Sequence, residues 1–502
     1  MLTAIGFLLT LFLSAVIYRT FFRRIRRPNE PPLDCGLVPW LGHALEFGKD
    51  AANFLLQMKG KHGDIFTVQA AGRFITVLLD PHSYDAVVWE SHSRLDFQKY
   101  AISLMERMFD VKLPNCDMAA EKAVLKIHLQ NQNLPNLTKS MFYNLNGIMR
   151  DKMSAAREWK EEGLFNFTYN VMLRGGYLTL FGSTSDYSLN THCIGEDIKH
   201  SEEVYKEFRK LDLLLMKAAR NMLSAAEKKE ALSAKKHLWQ LLDSDKLKKK
   251  AWKSSWIESY RCLLEEANVT PEMQSRAMVL QLWATQGNAG PAAFWLLVFL
   301  LKHPKAMAAI QCEYEKVFRS NGHSIIQMEN ISQELLDSTV IFDSVLSESL
   351  RLTAAPFITR EVLLDMSLTL ADGREYRLRS GDRLCLFPFV SPQMDPEIHH
   401  QPQEFQYDRF LNANGSAKKD FYKNGRKVKH PSMPWGAGSN VCTGRFHAVN
   451  SIKMFVFLLL FYFEFDLKNS SDKIPSFDRS RYGFGVLQPE NDIVFQYRRR
   501  FR

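Results

Sequence analysis

The sequence predicts a mainly α-helical protein with a small β-sheet region, preceded by one N-terminal transmembrane helix. The first 18 residues, from Met1 to Tyr18, carry no charged side chain. Apolar residues with helical spacing dominate the chain to about residue 350, while alternating, β-branched stretches lie before and after that region. No flexible linker divides the chain after the apolar segment. We therefore expect a membrane anchor over residues 1–27 and one folded domain over residues 28–502.

The N-terminal apolar segment has the minimum length for a bilayer span. Five arginines follow it by Arg27, and arginines on that side keep the rest of the chain cytoplasmic. A cleaved signal peptide is the alternative, but its positive charges precede the apolar run and a small-residue cleavage site follows it. The stretch PNEPPL then provides a stiff spacer. We expect one uncleaved, single-pass anchor with a cytosolic body.

Short strands are expected on both sides of the helical region. The stretch DIFTVQAAGRFITVLLDP predicts two strands joined at AAGR, and ADGR, which begins at Ala371, is typical of a hairpin turn. The polar, basic stretch from Leu411 to Pro431 predicts a loop region. The last apolar run, from Ala448 to Leu467, predicts a helix or a helix followed by a strand.

A long central helix is predicted to begin with Thr270 as its N-cap and to end before Pro304. At 1.5 Å per residue it would be about 50 Å long. The stretch QGNAGP interrupts it, because Pro291 has no N–H to bond the carbonyl group of Gly287. The glycines there either let a ligand approach the backbone or allow a close helix crossing. We expect the approach of a ligand, and a close helix crossing is the alternative.

Charge and cysteine content exclude several classes of protein. The formal net charge is +10, but nine arginines lie in RTFFRRIRRP and RRRFR at the two ends of the chain. Such local charge is not typical of a nucleic-acid-binding face, and we expect no nucleic-acid partner. The seven cysteines are odd in number and form no C-x-x-C pair, which argues against a disulfide framework and a structural zinc site.

Cys442 lies in the stretch PWGAGSNVCTGRF, four residues after Gly438 and two before Gly444. Glycines permit a tight loop whose backbone N–H groups point at a sulfur atom. The start of a helix beside a cysteine stabilises its thiolate, and a cysteine thiolate is one of the protein ligands of haem iron. Taken alone, the spacing leaves open that Cys442 is a buried, unreactive cysteine.

Two further motifs accompany this loop. The stretch SESLRL places Glu348 and Arg351 on one helix face, and Arg409 in FQYDRF is positioned to join that pair. The order E-x-x-R, aromatic-x-x-x-R-F and G-x-x-x-C-x-G resembles the cytochrome P-450 haem-thiolate superfamily over essentially the whole chain. Two positions depart from the pattern of that superfamily. Trp435 replaces a phenylalanine, and Asn440 replaces a basic residue that contacts a haem propionate.

The resemblance implies the cytochrome P-450 fold, haem b as the cofactor and Cys442 as the axial ligand of the haem iron. Stretches such as LQLWATQGN and SESLRLTAAPFITREV are similar to the branch that isomerises prostaglandin H endoperoxide to prostacyclin. This implies an isomerase that cleaves an O–O bond of a small lipid, at the endoplasmic reticulum membrane with the catalytic domain facing the cytosol. The alternatives are a sterol or bile-acid hydroxylase, which needs dioxygen and a reductase, and a non-catalytic haem sensor.

The interrupted helix favours the isomerase. In the superfamily this helix crosses the distal haem face, where monooxygenases carry an acid and a threonine that relay protons. The corresponding positions here are Ala289, Gly290 and Pro291, which donate no side-chain proton. A peroxide needs no dioxygen activation, so we expect no obligatory reductase. Asn288 is predicted to be catalytic by steering one endoperoxide oxygen; the alternative is an asparagine that bonds its own helix backbone.

The resemblance also implies positions near the substrate or the haem. The candidate substrate-binding residues are Arg107, Leu113, Asn288, Thr359, Arg360 and Arg383. Arg360 is expected to hold a haem propionate, as are Lys122 and Lys126, which lie four residues apart on a predicted helix. A solvated basic face is the alternative for the two lysines, and a surface cation is the alternative for Arg107.

Overall fold

A computed structural model describes residues 24–113, 118–184, 195–320 and 331–500. Its architecture is the one that the sequence predicts, with helices forming most of the molecule and small β-sheets beside them. The predicted transmembrane helix and most of the anchor over residues 1–27 lie outside the described residues, as do Cys116 and Cys193.

The helices follow the predicted helical region closely. In chain order they are α1 (Ala44–Lys49), α2 (Ala51–His62), α3 (Asp85–Val88), α4 (Gln98–Phe109), α5 (Met118–Leu129), α6 (Leu134–Ser154), α7 (Leu164–Phe181), α8 (Gly195–Ala219), α9 (Ala225–Leu241), α10 (Ser244–Lys248), α11 (Ser255–Glu266), α12 (Pro271–Gln286), α13 (Ala289–Lys302), α14 (Pro304–Ser320), α15 (Gln333–Asp337), α16 (Val340–Thr353) and α17 (Arg445–Tyr462).

The strands lie mainly before α4 and after α16. They are β1 (Leu33–Asp34), β2 (Ile65–Ala70), β3 (Arg73–Leu78), β4 (Leu95–Asp96), β5 (Lys160–Gly163), β6 (Ile358–Val362), β7 (Met366–Thr369), β8 (Glu375–Leu378), β9 (Arg383–Leu386), β10 (Tyr422–Lys423), β11 (Arg426–Lys427), β12 (Phe463–Leu467) and β13 (Val494–Arg499).

The main sheet has six strands in the order β1-β2-β3-β9-β6-β4. The predicted turn at AAGR is confirmed: Ala71 and Gly72 adopt φ values of 47° and 74° between β2 and β3, which suits a tight hairpin. The predicted ADGR hairpin joins β7 and β8. The polar stretch from Leu411 to Pro431 is less uniform than predicted, because β10 and β11 form a short antiparallel hairpin inside it.

Helix α13 is the centre of the helical core and packs against α7, α16 and α17. Its Phe294 and Trp295 side chains are fully buried, so the apolar run there is explained by packing. The last apolar run forms α17 followed by β12, the second of the two predicted arrangements. Among the described residues α17 is apolar and long enough to cross a membrane, but 67% of it is buried inside the protein, as expected for a core helix.

The predicted central helix is two helices. The Thr270 side chain caps α12 by accepting a hydrogen bond from the Met273 N–H, and α13 ends at Lys302 before Pro304, so both predicted ends are confirmed. The interruption falls at Gly287 and Asn288. This break places a short non-helical turn at the point where the sequence predicts a functional site.

Candidate active site

Glycines shape the loop before Cys442. Gly436 and Gly438 have φ values of 73° and 64°, which a residue with a side chain rarely adopts. A Cβ atom at Gly438 would also lie 2.2 Å from the Val88 carbonyl oxygen. The loop closes with a 2.8 Å hydrogen bond from the Cys442 N–H to the Trp435 carbonyl. The sequence therefore holds the cysteine in one position.

The environment of the Cys442 sulfur balances opposite effects. Burial raises the pKa of the thiol, whereas the backbone N–H groups of Gly444 and Arg445 and the charge of Arg445 lower that pKa. Helix α17 starts at Arg445, so its N-terminal N–H groups lie beside the sulfur. A cation bound to the sulfur would reverse the effect of burial, because a metal-bound thiol loses its proton.

A cavity of about 370 Å³ lies against Cys442. Its lining combines the loop around Cys442, the start of α17, the ends of α12 and α13 that flank the break, and strand β6 with the residues before it. Most of the lining is apolar. In the part of the chain that the structure describes, no aspartate or glutamate lines this cavity.

Two cationic side chains lie close together near one end of the Cys442 loop. Arg360 is 4% exposed and lines the cavity, and no carboxylate of the described residues lies within ion-pair distance of it. Lys122 donates a hydrogen bond to the Ser439 carbonyl and lies 3.3 Å from Asn440 Oδ1. Burial lowers the pKa of Lys122, and the charges of Arg360 and Lys126 lower it further. This excess of positive charge fits an anionic group.

Two buried polar atoms without a hydrogen-bond partner among the described residues belong to residues that line the cavity. They are Asn440 Nδ2 and His447 Nδ1. Burial lowers the pKa of His447 to about 4, so this imidazole is neutral at physiological pH. A thiol, an apolar cavity and clustered cations with an amide donor together fit a macrocycle that carries a metal ion and two carboxylates.

The structure brings Glu348, Arg351 and Arg409 together as the sequence predicts. Arg351 donates two hydrogen bonds to the Glu348 carboxylate at 2.7 and 2.8 Å, and Arg409 Nε lies 2.9 and 3.0 Å from its two oxygens. All three side chains are buried. Their remaining donors bind backbone carbonyl groups of Gln393, Pro402, His400, Gln401 and Glu404.

Asn288 lies at the helix break and lines the cavity. Its Oδ1 accepts a 2.9 Å hydrogen bond from the Val486 N–H, so the side chain bonds a distant segment and not its own helix. This arrangement leaves the amide N–H₂ as the donor that can reach a ligand. A Cβ atom at Gly485 would lie 2.3 Å from Asn288 Oδ1, which explains the glycine at that position.

The two helix glycines of QGNAGP do not line the cavity. A Cβ atom at Gly290 would lie 2.3 Å from the Tyr169 ring, so Gly290 allows a close crossing with α7. The carbonyl group of Gly287, which Pro291 leaves without an N–H partner, accepts a hydrogen bond from the Tyr169 hydroxyl at 3.3 Å. For Gly290 the structure therefore shows the alternative, a close helix crossing, and the expected approach of a ligand is wrong.

The polar residues Gln281, Thr285 and Gln286 also line the cavity, and sequence reasoning missed them. Thr285 Oγ1 donates to the Gln281 carbonyl at 2.7 Å and accepts from Gln286 Nε2 at 3.2 Å. Their spacing could have identified Gln281 and Thr285 as neighbours of Asn288, because residues 281, 285 and 288 share one helix face. Since the threonine hydroxyl donates to its own helix, it is not a free proton donor toward the cavity.

Four candidate substrate residues, and the candidate propionate residue Lys126, do not line the cavity. Arg107 on α4 donates to the Ala219 carbonyl at the end of α8, at 2.9 Å. Arg383 on β9 binds Glu361 at 2.7 Å. Thr359 lies on β6 between the lining residues Ile358 and Arg360, with its hydroxyl near Cys385. Leu113 packs against the helical core. Lys126 is exposed.

A family model for cytochrome P450 matches residues 31–495, and the chain therefore belongs to the cytochrome P450 family. The cofactor of this family is haem b with thiolate ligation, which is the cofactor that the sequence predicts and that the residues around the cavity fit.

Named members of this family are similar to the chain over nearly its whole length. The chain is 56% identical to human prostacyclin synthase over 475 residues, covering 94% of this chain and 95% of the relative. It is 56% identical to bovine prostacyclin synthase over 474 residues, with the same two shares. A rabbit 7-alpha-hydroxycholest-4-en-3-one 12-alpha-hydroxylase is 40% identical over 478 residues, covering 95% of this chain and 94% of the relative.

Proposed function

We propose that this protein is an isomerase that converts prostaglandin H endoperoxide to prostacyclin, without dioxygen, NADPH or an obligatory reductase. The observation that carries the proposal is the polar lining at the helix break, where Asn288 offers an amide and no carboxyl group of the described residues reaches the cavity. Activation of dioxygen requires delivered protons, whereas a substrate that already contains an O–O bond does not. The similarity to prostacyclin synthases over nearly the whole chain supports the same activity.

The residues that would hold the haem are Cys442 for the iron and Arg360 and Lys122 for the propionates. Lys126 is exposed, and a propionate contact of Lys126 stays a prediction. The Asn440 amide, which is buried without a partner among the described residues, adds a neutral donor where other family members have a basic residue. When bound, the haem supplies the metal centre that cleaves the O–O bond.

Asn288 would orient the substrate. Because Val486 fixes the carbonyl oxygen of the Asn288 amide, the N–H₂ group donates a hydrogen bond to one of the two endoperoxide oxygens. That bond would distinguish the two oxygens and decide which of them is directed toward the haem. A donor in a low-dielectric cavity orients its partner more strongly than the same donor in water does.

The apolar lining would protect the reacting substrate from water. Prostaglandin H and prostacyclin are isomers, so no atom has to enter the site during the reaction. A cation-like carbon centre would be captured by water, and Ala289, Ala292 and Ile358 form an apolar surface that excludes it. Substrate contacts of Arg107, Leu113, Thr359 and Arg383 stay predictions that rest on the family resemblance.

The test is to add prostaglandin H to the purified ferric protein without NADPH and to identify the products by mass spectrometry. We expect prostacyclin, detected as its hydrolysis product. Asn288→Ala should lower turnover or shift the product ratio at unchanged haem content, because Asn288 does not contact Cys442 or the cationic cluster. Cys442→Ser is the control that removes the thiolate. Turnover only with NADPH and dioxygen would instead identify a hydroxylase.

We also propose a single-pass protein of the endoplasmic reticulum membrane, with an anchor over residues 1–27 and the catalytic domain over residues 28–502 in the cytosol. Exposed apolar side chains near the start of the described chain support a membrane at that end; they are Ile25, Leu37, Val38, Trp40 and Leu45. The anchor should resist extraction by alkaline carbonate, and protease added to intact microsomes should cut the catalytic domain. A domain that protease cannot reach would overturn this topology.

A further inference from the structure

A segment after α17 brings Gly485 and Val486 to the cavity lining, and one buried carboxylate holds both of its ends. We call residues 481–488 the clamp segment. At one end Arg481 Nη1 donates to Asp212 Oδ1 at 3.2 Å. At the other end Gln488 Nε2 donates to Asp212 Oδ2 at 2.9 Å. Asp212 lies on α8 and is 1% exposed, so its hydrogen bonds fix the clamp segment against that helix.

The middle of the clamp segment holds the Asn288 amide. The Val486 N–H donates to Asn288 Oδ1 at 2.9 Å, and Gly485, with φ of 99°, gives that oxygen its room. The other edge of the segment pairs with the chain after α16, where the Ala355 N–H donates to the Gly485 carbonyl at 2.8 Å. A shift of the clamp segment would therefore move the amide.

A second connection runs from the same carboxylate to the helix break. Arg209 forms an ion pair with Asp212, and its guanidinium carbon lies 4.8 Å from the centre of the Tyr169 ring. The Tyr169 hydroxyl donates to the Gly287 carbonyl at 3.3 Å. Asp212 is thus connected to both residues of the break, to Gly287 through Tyr169 and to Asn288 through the clamp segment.

From this geometry we infer that Asp212 is a positioning residue for the isomerisation, which sets the direction of the Asn288 amide through the clamp segment and thereby the choice of endoperoxide oxygen. The inference rests on the proposed function. Asp212 does not line the cavity and acts on the substrate only through Asn288. Its removal should therefore change how the endoperoxide is cleaved more than how tightly the lipid binds.

The experiment is a double-mutant cycle on the full-length haem protein with prostaglandin H and no NADPH. The four proteins are the wild type, Asp212→Asn, Asn288→Ala and the double variant. We expect Asp212→Asn to lower kcat by about tenfold, since small errors in position have effects of this size, to raise the fraction of fragmented product and to leave KM within about twofold. In the Asn288→Ala background the same substitution should change kcat by less than about twofold.

If Asp212→Asn lowers kcat equally in the wild-type and Asn288→Ala backgrounds, Asp212 has a structural role. That result would overturn the inference and leave the proposed function standing. A wild-type protein that forms no prostacyclin overturns the proposed function, and the inference with it. Asp343→Asn is the matched control, because it breaks the 2.7 Å ion pair with the buried Lys453 and leaves the clamp segment untouched. It should keep the wild-type product ratio.

Gly485→Ala tests the same inference without touching the buried charges. Its Cβ atom would displace Asn288 Oδ1 from 2.3 Å away, so we expect the same rise in fragmented product as for Asp212→Asn, at unchanged haem content. A wild-type product ratio in Gly485→Ala would overturn the inference. If Asp212→Asn does not retain haem, Gly485→Ala still tests the step on which the inference depends, the link from the clamp segment to the Asn288 amide.

Discussion

Two buried carboxylates in this molecule each hold two arginines, and the two clusters differ in how completely they are hydrogen-bonded. Glu348 binds Arg351 and Arg409, and the other donors of those arginines reach backbone carbonyl groups. Asp212 binds Arg209 and Arg481, but Arg481 Nε has only a long contact with the Asp478 carboxylate, at 3.5 Å, and makes no hydrogen bond with any described residue. Arg481 and Asn288 also line a small cavity of about 10 Å³.

The difference distinguishes a network that stabilises the fold, around Glu348, from a network that positions a functional group, around Asp212. A fully hydrogen-bonded buried network holds one arrangement and resists change. A network with a weakly held donor is less fixed, and here the arginine that carries this donor lines the same small cavity as Asn288. We therefore expect the Glu348 cluster to determine whether the protein folds and binds haem, and the Asp212 cluster to determine what the haem protein produces.

The largest expected effect is that of Glu348→Gln. It removes the charge that compensates Arg351 and Arg409 in a fully buried site, and breaking such a network costs roughly 3–5 kcal/mol. Asp212→Asn should cost less, because Arg481 keeps Asp478 at 3.5 Å and Arg209 keeps the Tyr169 ring. Urea unfolding and haem content measure both variants. A larger loss of stability in Asp212→Asn would reverse the assignment of the two clusters.

A loss of stability of intermediate size is expected when the pH is lowered, because of a histidine beside the Glu348 cluster. Burial lowers the pKa of His399 to about 3, and the charges of Arg351 and Arg409 act in the same direction. The unfolded state binds a proton at higher pH than the folded state, so this contribution to stability is present above about pH 6.5 and is lost as the pH falls toward 3. The loss should be about 2 kcal/mol between pH 7 and pH 5.

His399→Gln keeps a donor for the Pro431 carbonyl, which His399 Nε2 contacts at 2.8 Å, and it cannot be protonated in this range. Unfolding by urea at pH 7 and pH 5 should show a smaller difference in this variant than in the wild type. An equal difference would mean that the acid sensitivity arises elsewhere in the protein.

The smallest effect is expected for Arg107→Ala, which removes a contact between α4 and α8, the helix that carries Asp212. Loss of the hydrogen bond to the Ala219 carbonyl should lower stability by about 0.5–1.5 kcal/mol, while KM for prostaglandin H stays within about twofold. The family resemblance instead implies a substrate contact, which would raise KM several-fold. Steady-state kinetics at matched haem content distinguish the two outcomes.

The sequence could predict the features that depend on neighbouring residues or on a motif. The AAGR and ADGR turns, the Thr270 cap and the pairing of Glu348 with Arg351 each need information from only a few positions. Asp212 lies 269 residues before Arg481 and 276 residues before Gln488, and no periodic pattern connects it with them. The same limit applies to Gly290, whose contact with Tyr169 exists only after two helices have packed.

The close packing at the helix break limits the side chains that these positions can hold. A hydroxylase groove would need an acid and a threonine where this chain has Ala289, Gly290 and Pro291. Any side chain at Gly290 would meet the Tyr169 ring at 2.3 Å, and Tyr169 in turn occupies the carbonyl group that Pro291 leaves free. An acid or a threonine at position 290 would therefore have to be accompanied by a change at Tyr169 on α7, because one substitution alone leaves no room for the new side chain.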